Sequence, residues 1–411
     1  MNSNKSIRNM FRRGDEPGSI QVAILQAGWL PQVPIAPDLV AYRFELKPVI
    51  DKLIGSKQNI QFIELDRENI FEQAIAFYKK CDHDTHVKLM VTFKTGGVKE
   101  DGIDGSGLRR EFYHSFFKVC LTKKTMFVGD GRRKFPSNDV NLVQNGYFAA
   151  IGRAIVASVM NGDCGFPYLS PIVFKYMVGE DTQEDEQLDA VPDLDIKDLC
   201  KHLLDAKTDD EVIEVTGGDQ GSIISHIGWP TGENFSLRNR NVLVQMLIHW
   251  DIIEKRRRAL DQLKAGLNHM GFLEATKKNP NLLPLLVYSE SFSLNAEYAR
   301  NQLQPKIKAL ECADETQMQA KRWMQEFLND MSDEDAQSFY QFATGSADPP
   351  VADESISMEF NSYDHTLTLP SASTCSSLFR IPLGNRTSID FKRSMKTALD
   401  NARFGFGAER T

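Results

Sequence analysis

Cysteine is scarce in this 411-residue chain, with six in all, at Cys81, Cys120, Cys164, Cys200, Cys312 and Cys375, and no two of them form a Cys-x-x-Cys pair. Scattered in this way they make neither a zinc ribbon nor a redox motif, and in a reducing compartment they are free thiols. Long apolar runs are missing as well. No stretch approaches the roughly 18 to 20 residues that cross a bilayer, and the first residues lack the apolar core of a signal peptide, so a cytoplasmic or nuclear chain with no membrane partner is expected. Positive charge is not in excess either: 48 Lys and Arg stand against 56 Asp and Glu, a formal charge of −8. That balance argues against nucleic acid as a partner and favours a basic protein surface. Internal repeats and low-complexity segments are absent.

Cofactor signatures are equally lacking. Residues Asp101 to Phe112 form a glycine-rich loop between a strand and a helix, which invites a phosphate-binding reading. They contain no Gly-Lys-Ser/Thr, and their spacing fits neither a dinucleotide fingerprint nor an EF-hand. Cys81, His83 and His86 sit close together, but Asp82 and Asp84 interleave them and no second cluster follows, so a solvated loop is the better reading. No cofactor and no metal are expected.

What is present is ordinary globular material, 41% hydrophobic and 25% charged, enough for two or three domains. Residues 1–60 read as an N-terminal arm, partly flexible, basic at Lys5, Arg8, Arg12 and Arg13; Ile20 to Leu25 has strand character. Such a start can mimic a transit peptide, but Asp15-Glu16 follows at once. Phe62 to Leu65 reads as a strand, and Ile70, Phe71, Ala74, Ile75, Phe77 and Tyr78 carry helical spacing. Val87 to Phe93 is a strand, a helix runs to about Leu121, and Asn145 to Ile155 is a helix of small residues suited to close packing. The acidic stretch Glu180 to Asp198 reads as a solvated loop leading into a helix over Ile196 to Leu204. Trp229 reads equally as a partner anchor or a packed corner. Asn241 to Leu267 is the longest periodic helix, with Lys255 to Arg258 as its exposed basic turn. Ser332, followed three residues later by an acid, starts another helix. Ser346 to Pro350 is a short linker. Beyond it come strands at Ser355 to Phe360 and Thr366 to Leu369 and a helix from Ser388 to Asn401, about sixty residues in all and too few to be stable without leaning on the larger part.

One thiol stands out by its surroundings: Leu369-Pro370-Ser371-Ala372-Ser373-Thr374-Cys375, followed by Phe379, Ile381 and Pro382. Pro370 ends or edges a strand and the small polar run is turn-like, so Cys375 falls on a loop between extended segments. A cysteine among small residues is commonly just a buried small hydrophobe, whereas a loop on rigid flanks is where chemistry is carried.

The run Leu-Pro-x-Ala-x-Thr-Cys, with apolar residues four and six positions on and Pro at seven, resembles the active-site loop of the HECT-type E3 ubiquitin ligases. Asp104 to Phe112, with Ser106 in place of a glycine, resembles the Asp-x-Gly-Gly-x-x-Arg-Glu-Phe motif of that family, where its role is structural: a tight turn, a helix start, and an arginine and glutamate available for pairing. The Phe-x-x-Phe-x-Thr-Gly ending at Gly345 resembles the segment close to the family's hinge. The resemblance implies an α+β, bilobal fold: a large, mainly helical N-lobe over 61–345, a hinge at 346–350 and a small α/β C-lobe over 351–411. It implies a transferase in which Cys375 accepts ubiquitin from an E2 as a thioester and passes it to a lysine of a protein substrate. Thr374 and Pro370 then support the loop, Phe406 matches a phenylalanine important in transfer to lysine, and Gly345, Pro349 and Pro350 form the hinge. The likeness is nearest to short, divergent members. Residues from about 165 to 240 look like an altered E2-binding subdomain, Ser373 replaces a frequent histidine, and Gly384 replaces an aromatic. A scaffold that binds ubiquitin or an E2 with weak catalysis is the alternative; a cysteine hydrolase using His365 is a third reading, with no orienting residue to support it.

Overall fold

The computed structural model describes residues 48–52, 59–80, 87–100, 107–122, 125–130, 133–163, 165–183, 186–218, 221–230, 232–287, 294–347, 356–374 and 376–402. Cys375, Phe406, Pro349, Pro350, the Cys81 to His86 group and the strand-like Ile20 to Leu25 lie outside them.

The first sheet joins β1 (Asn59–Asp66), β2 (Val87–Thr95) and β3 (Val98–Lys99). β1 and β2 run parallel, with Ile63 opposite Val91 and Leu65 opposite Phe93. A parallel pair needs a crossover, and α1 (Ile70–Lys79) lies within it. Its buried residues Ile70, Phe71, Ala74, Ile75 and Tyr78 keep the spacing of one helical face. Gly96 and Gly97, at φ +57° and +82°, make the turn into antiparallel β3.

Against this sheet packs α2 (Gly107–Thr122), which buries Phe112, Tyr113, Phe116 and Phe117. The hydroxyls of Tyr78 and Tyr113 pair inside the core at 2.9 Å. A two-rung ladder, β4 (Phe127–Val128) with β5 (Phe135–Pro136), follows. The small-residue segment becomes α3 (Tyr147–Met160), and its close packing is explicit. A Cβ at Gly152 would stand 2.7 Å from the Leu263 carbonyl oxygen, and one at Gly266 would stand 2.3 Å from that of Ala149. Two glycines facing each other let the backbones of α3 and the later helix over 257–267 touch.

The acidic stretch leads into α4 (Leu194–Asp205), whose first amides at Asp195 and Ile196 are capped by the Asp193 carboxylate. The long helix expected over 241–267 is broken. It forms α5 (Arg240–Ile252), a 3-10 turn at Glu254–Arg256, and α6 (Arg257–Leu267), with Ile253 at φ −116°, ψ −63° between them. The cause is electrostatic. Asp251 is fully buried and needs a partner, and the turn folds Arg256 back so that its Nη2 donates to Asp251 Oδ1 at 3.1 Å and its Nη1 to the Pro136 carbonyl at 3.2 Å. The basic turn is therefore only in part a wet face: Arg258 is exposed, but Arg256 is 3% exposed, and Lys255 pairs with both Asp251 and Asp193. Trp229 is a packed corner, its ring 5.3 Å from that of Phe235 and its Nε1 donating to the Glu233 carbonyl.

A second apolar cluster gathers residues from Leu294 to Leu399, separate from the first, which runs from Ile50 to Val287. It holds α7 (Ala296–Ala309), α8 (Glu315–Asn329), α9 (Asp333–Thr344), the sheet of β6 (Ser357–Phe360), β7 (Ser371–Ser373) and β8 (Leu378–Ile381), and α10 (Ser388–Ala402). α9 begins with a full capping box between Ser332 and Asp335. In the sheet, β8 is central, parallel to β6 and antiparallel to β7. Its alternating Phe379 and Ile381 are fully buried, and the Phe379 ring lies 4.7 Å from that of Phe339 on α9. Mainly helical, with small sheets of both parallel and antiparallel pairing, the fold is α+β.

Candidate active-site loop

Pro370 is buried, and β7 begins immediately after it. The strand expected at Thr366 to Leu369 is instead an irregular strap. The Asp364 carboxylate accepts from the Thr366 amide and hydroxyl at 2.8 and 2.6 Å, and the Leu367 and Thr368 carbonyls accept from the Gly384 amide and the Asn385 side chain at 2.9 and 2.8 Å. These bonds replace a ladder. His365 lies exposed on the same strap. Gly384 explains itself here: a Cβ would stand 2.2 Å from the Thr366 carbonyl oxygen, so no side chain fits beneath the strap.

β7 and β8 form a hairpin with Ser371 opposite Arg380, Ala372 opposite Phe379 and Ser373 opposite Leu378. Its connection is Thr374 to Ser377, which brackets Cys375. The Ser376 amide donates to the Ser373 carbonyl at 3.2 Å, and the Ser377 amide donates to Thr374 at 3.4 Å. Ser377 is 2% exposed at φ +49°, a left-handed conformation that a serine adopts only where its neighbours hold it. Its carbonyl accepts from the Ser357 amide at 2.8 Å, fixing the loop to β6.

The other anchor is distant in sequence. Arg110 on α2 is 2% exposed, and its Nη2 donates to the Thr374 carbonyl at 2.6 Å and to the Ser377 hydroxyl at 3.3 Å. Its Nε donates to the carbonyl of Thr344, the last residue of α9, at 2.7 Å. Gly345 follows in the left-handed region at φ +90°, where a Cβ would press to 2.9 Å on the Gly107 carbonyl oxygen. The structure thus brings Thr374 and Gly345, both marked by the sequence, to the start of α2.

Next to Arg110, Glu111 accepts from Arg67 Nη1 at 2.6 Å, and Arg67 also grips Glu100 at 2.6 Å. Burial works against the Arg67 charge, but its bonds to Glu100 and Glu111 outweigh it and its pKa is raised. The Arg67 bond in turn holds the Glu100 carboxyl below its ordinary range. Arg109 pairs with Asp163 at 2.9 Å, both buried. The Arg-Arg-Glu run therefore supplies structural pairs, as its motif implied, and in addition an arginine that reaches the cysteine loop. The motif marked that arginine for pairing, but its partners are backbone carbonyls 234 and 264 residues away, which leave no trace in the sequence.

The chain matches the family described as HECT-domain (ubiquitin-transferase) over residues 113–409. It is similar to the E3 ubiquitin-protein ligase RSP5 of Chaetomium thermophilum, 25% identical over 223 residues, which is 51% of this chain and 26% of that protein. It is also similar to the G2/M phase-specific E3 ubiquitin-protein ligase of Gallus gallus, 22% identical over 237 residues, 57% of this chain and 31% of that protein. The chain thus spans about a quarter to a third of the length of these curated relatives.

Proposed function

The chain belongs to the HECT-domain family, whose match covers residues 113–409, and from that premise we propose that it is an E3 ubiquitin transferase working through a thioester on Cys375. The observation that carries the reading is that the Leu-Pro-x-Ala-x-Thr-Cys motif runs through β7 into a hairpin connection whose described residues are bonded to β6 through Ser377 and to α2 through Thr374.

In the proposed first step the Cys375 thiolate attacks the carbonyl carbon of an E2-bound ubiquitin thioester; the new C–S bond forms as the old one breaks, and the E2 thiolate departs. A thiolate is already a good nucleophile, so the main task of the protein is positioning. In the second step a substrate lysine attacks the same carbon. Thr374 and Pro370 support the loop, and Phe406 matches the family's phenylalanine that is important in transfer to lysine.

The proposed body is bilobal. Residues 61–345 are the N-lobe and 351–411 the C-lobe, a hinge at 346–350 uses Gly345, Pro349 and Pro350, and residues 1–60 are an arm. The region from about 165 to 240 stands where the E2 is received. Because Phe379 packs on Phe339, a swing of the C-lobe has to open that apolar contact. The partners are a charged E2, ubiquitin and a protein substrate, in the cytoplasm or nucleus.

The test is single-turnover charging from a panel of ubiquitin-loaded E2 enzymes, resolved on reducing and non-reducing gels. A thiol-sensitive adduct that disappears in Cys375→Ala is expected. Binding of E2 or ubiquitin with no adduct from any E2 leaves the scaffold reading instead.

A further inference from the structure

We infer that Arg110 is a positioning residue for the transfer of ubiquitin to lysine, setting the cysteine loop against the end of α9; this rests on the reading of Cys375 as the thioester carrier. One buried guanidinium bonds the Thr344 carbonyl at the end of α9 and, on the hairpin connection, the Thr374 carbonyl and the Ser377 hydroxyl. The last two bracket Cys375. The first marks the start of the segment that leads into the small sheet.

The end of α9 is itself held fast. Thr344 Oγ1 donates to the Tyr340 carbonyl at 2.7 Å and accepts from the Ser346 amide at 3.3 Å, while Gly345 lies against Gly107. Arg110 therefore joins two fixed points, and the loop acquires a set position relative to α2. A lysine does not substitute for it. Its single nitrogen, on a flexible stem, lacks the planar fork that places donors on two sides at once.

The two half-reactions use this geometry differently. In charging, the E2 holds the thioester carbonyl, and this chain has only to bring the Cys375 sulfur to it. In discharge, the substrate nitrogen forms a C–N bond to the C-terminal carbonyl carbon of ubiquitin, the C–S bond to Cys375 breaks, and the proton shed by the amine ends on the departing sulfur. The carbonyl is then held by this chain alone, so the set of the loop controls the angle of attack, and displacement of about 1 Å is worth up to about a hundred-fold in rate.

The experiment uses the full chain and measures charging and discharge separately, the latter as loss of the ubiquitin adduct to free lysine. It compares wild type, Arg110→Lys, Arg110→Gln and Ser377→Ala, with thermal unfolding of each. The expected result is discharge slowed about ten-fold in both Arg110 variants, less in Ser377→Ala, with charging changed by no more than about two-fold. Keeping the charge in Arg110→Lys does not rescue the rate. The inference is overturned if Arg110→Lys discharges like wild type, or if charging and discharge fall together in step with the unfolding temperature. Wild-type charging is the control that separates the two claims: if wild type takes no ubiquitin, the Cys375 reading is wrong and the inference falls with it.

Discussion

At Gly384 an added Cβ would stand 2.2 Å from one carbonyl oxygen and 2.8 Å from the next, those of Thr366 and Leu367. The strap above it is bonded to the Gly384 amide, so it cannot lift without losing that bond. Gly384→Ala is therefore expected to destabilise the chain by about 1–3 kcal/mol, the usual cost of overfilling a packed site, measured as a shift of the urea unfolding midpoint; an unchanged midpoint would show that the strap yields freely. The sequence made Gly384 conspicuous as a missing aromatic but not its reason, because the reason is the path of the strap at Thr366 and Leu367, well upstream in the chain. The partners of Arg110 were hidden in the same way. A motif names residue types and spacing; a side chain reaching distant backbone carbonyls is a product of the fold.

At the scale of elements, amphipathic spacing was a sound guide wherever a core decided the outcome, as in α1 and in the buried alternation of β8. It misled where buried charge decided. The apolar face continues through Ile253, yet the helix stops there because Asp251 and Arg256 must meet. Pro370 was also read on the wrong side of its strand: with no N–H to give, it precedes β7, an edge strand. The break after α5 has a titratable neighbour. His249 Nδ1 bonds the buried Glu186 carboxylate at 2.9 Å, and Nε2 lies 3.4 Å from Glu254. Burial pulls the His249 pKa down, but the two carboxylates pull it up further, so it is raised above 6.5. A raised pKa means that the charged form stabilises the fold. That contribution is complete below about pH 6.5, the unfolded value, and is lost as the pH rises through the folded value. The urea midpoint of wild type is expected to fall more steeply than that of His249→Gln as the pH rises above about 6.5; parallel curves would contradict it.

For the whole molecule, the two apolar clusters divide between Val287 and Leu294, and the second spans α7 to α10. Helix α9 packs on the small sheet through the Phe339–Phe379 ring pair, and α8 packs on α10 through the Trp323–Phe391 pair. This arrangement gives the small sheet the support that its size requires, and it is the position in which Arg110 reaches the loop. The α+β class was legible through the family resemblance that the motifs carried. The sharing of the second core was not, because the linker pattern at Ser346 to Pro350 signals a boundary in the chain and carries no information on what packs across it. The central claim, that Cys375 carries the acyl group, is tested most directly by mapping the adduct formed by Cys375→Ser. Replacing sulfur by oxygen turns a labile thioester into an oxyester that survives thiol treatment. After incubation with charged E2, peptide mass spectrometry is expected to find the ubiquitin C-terminus esterified at residue 375 and cleaved by mild alkali; an adduct at another residue, with position 375 unmodified, would contradict the account.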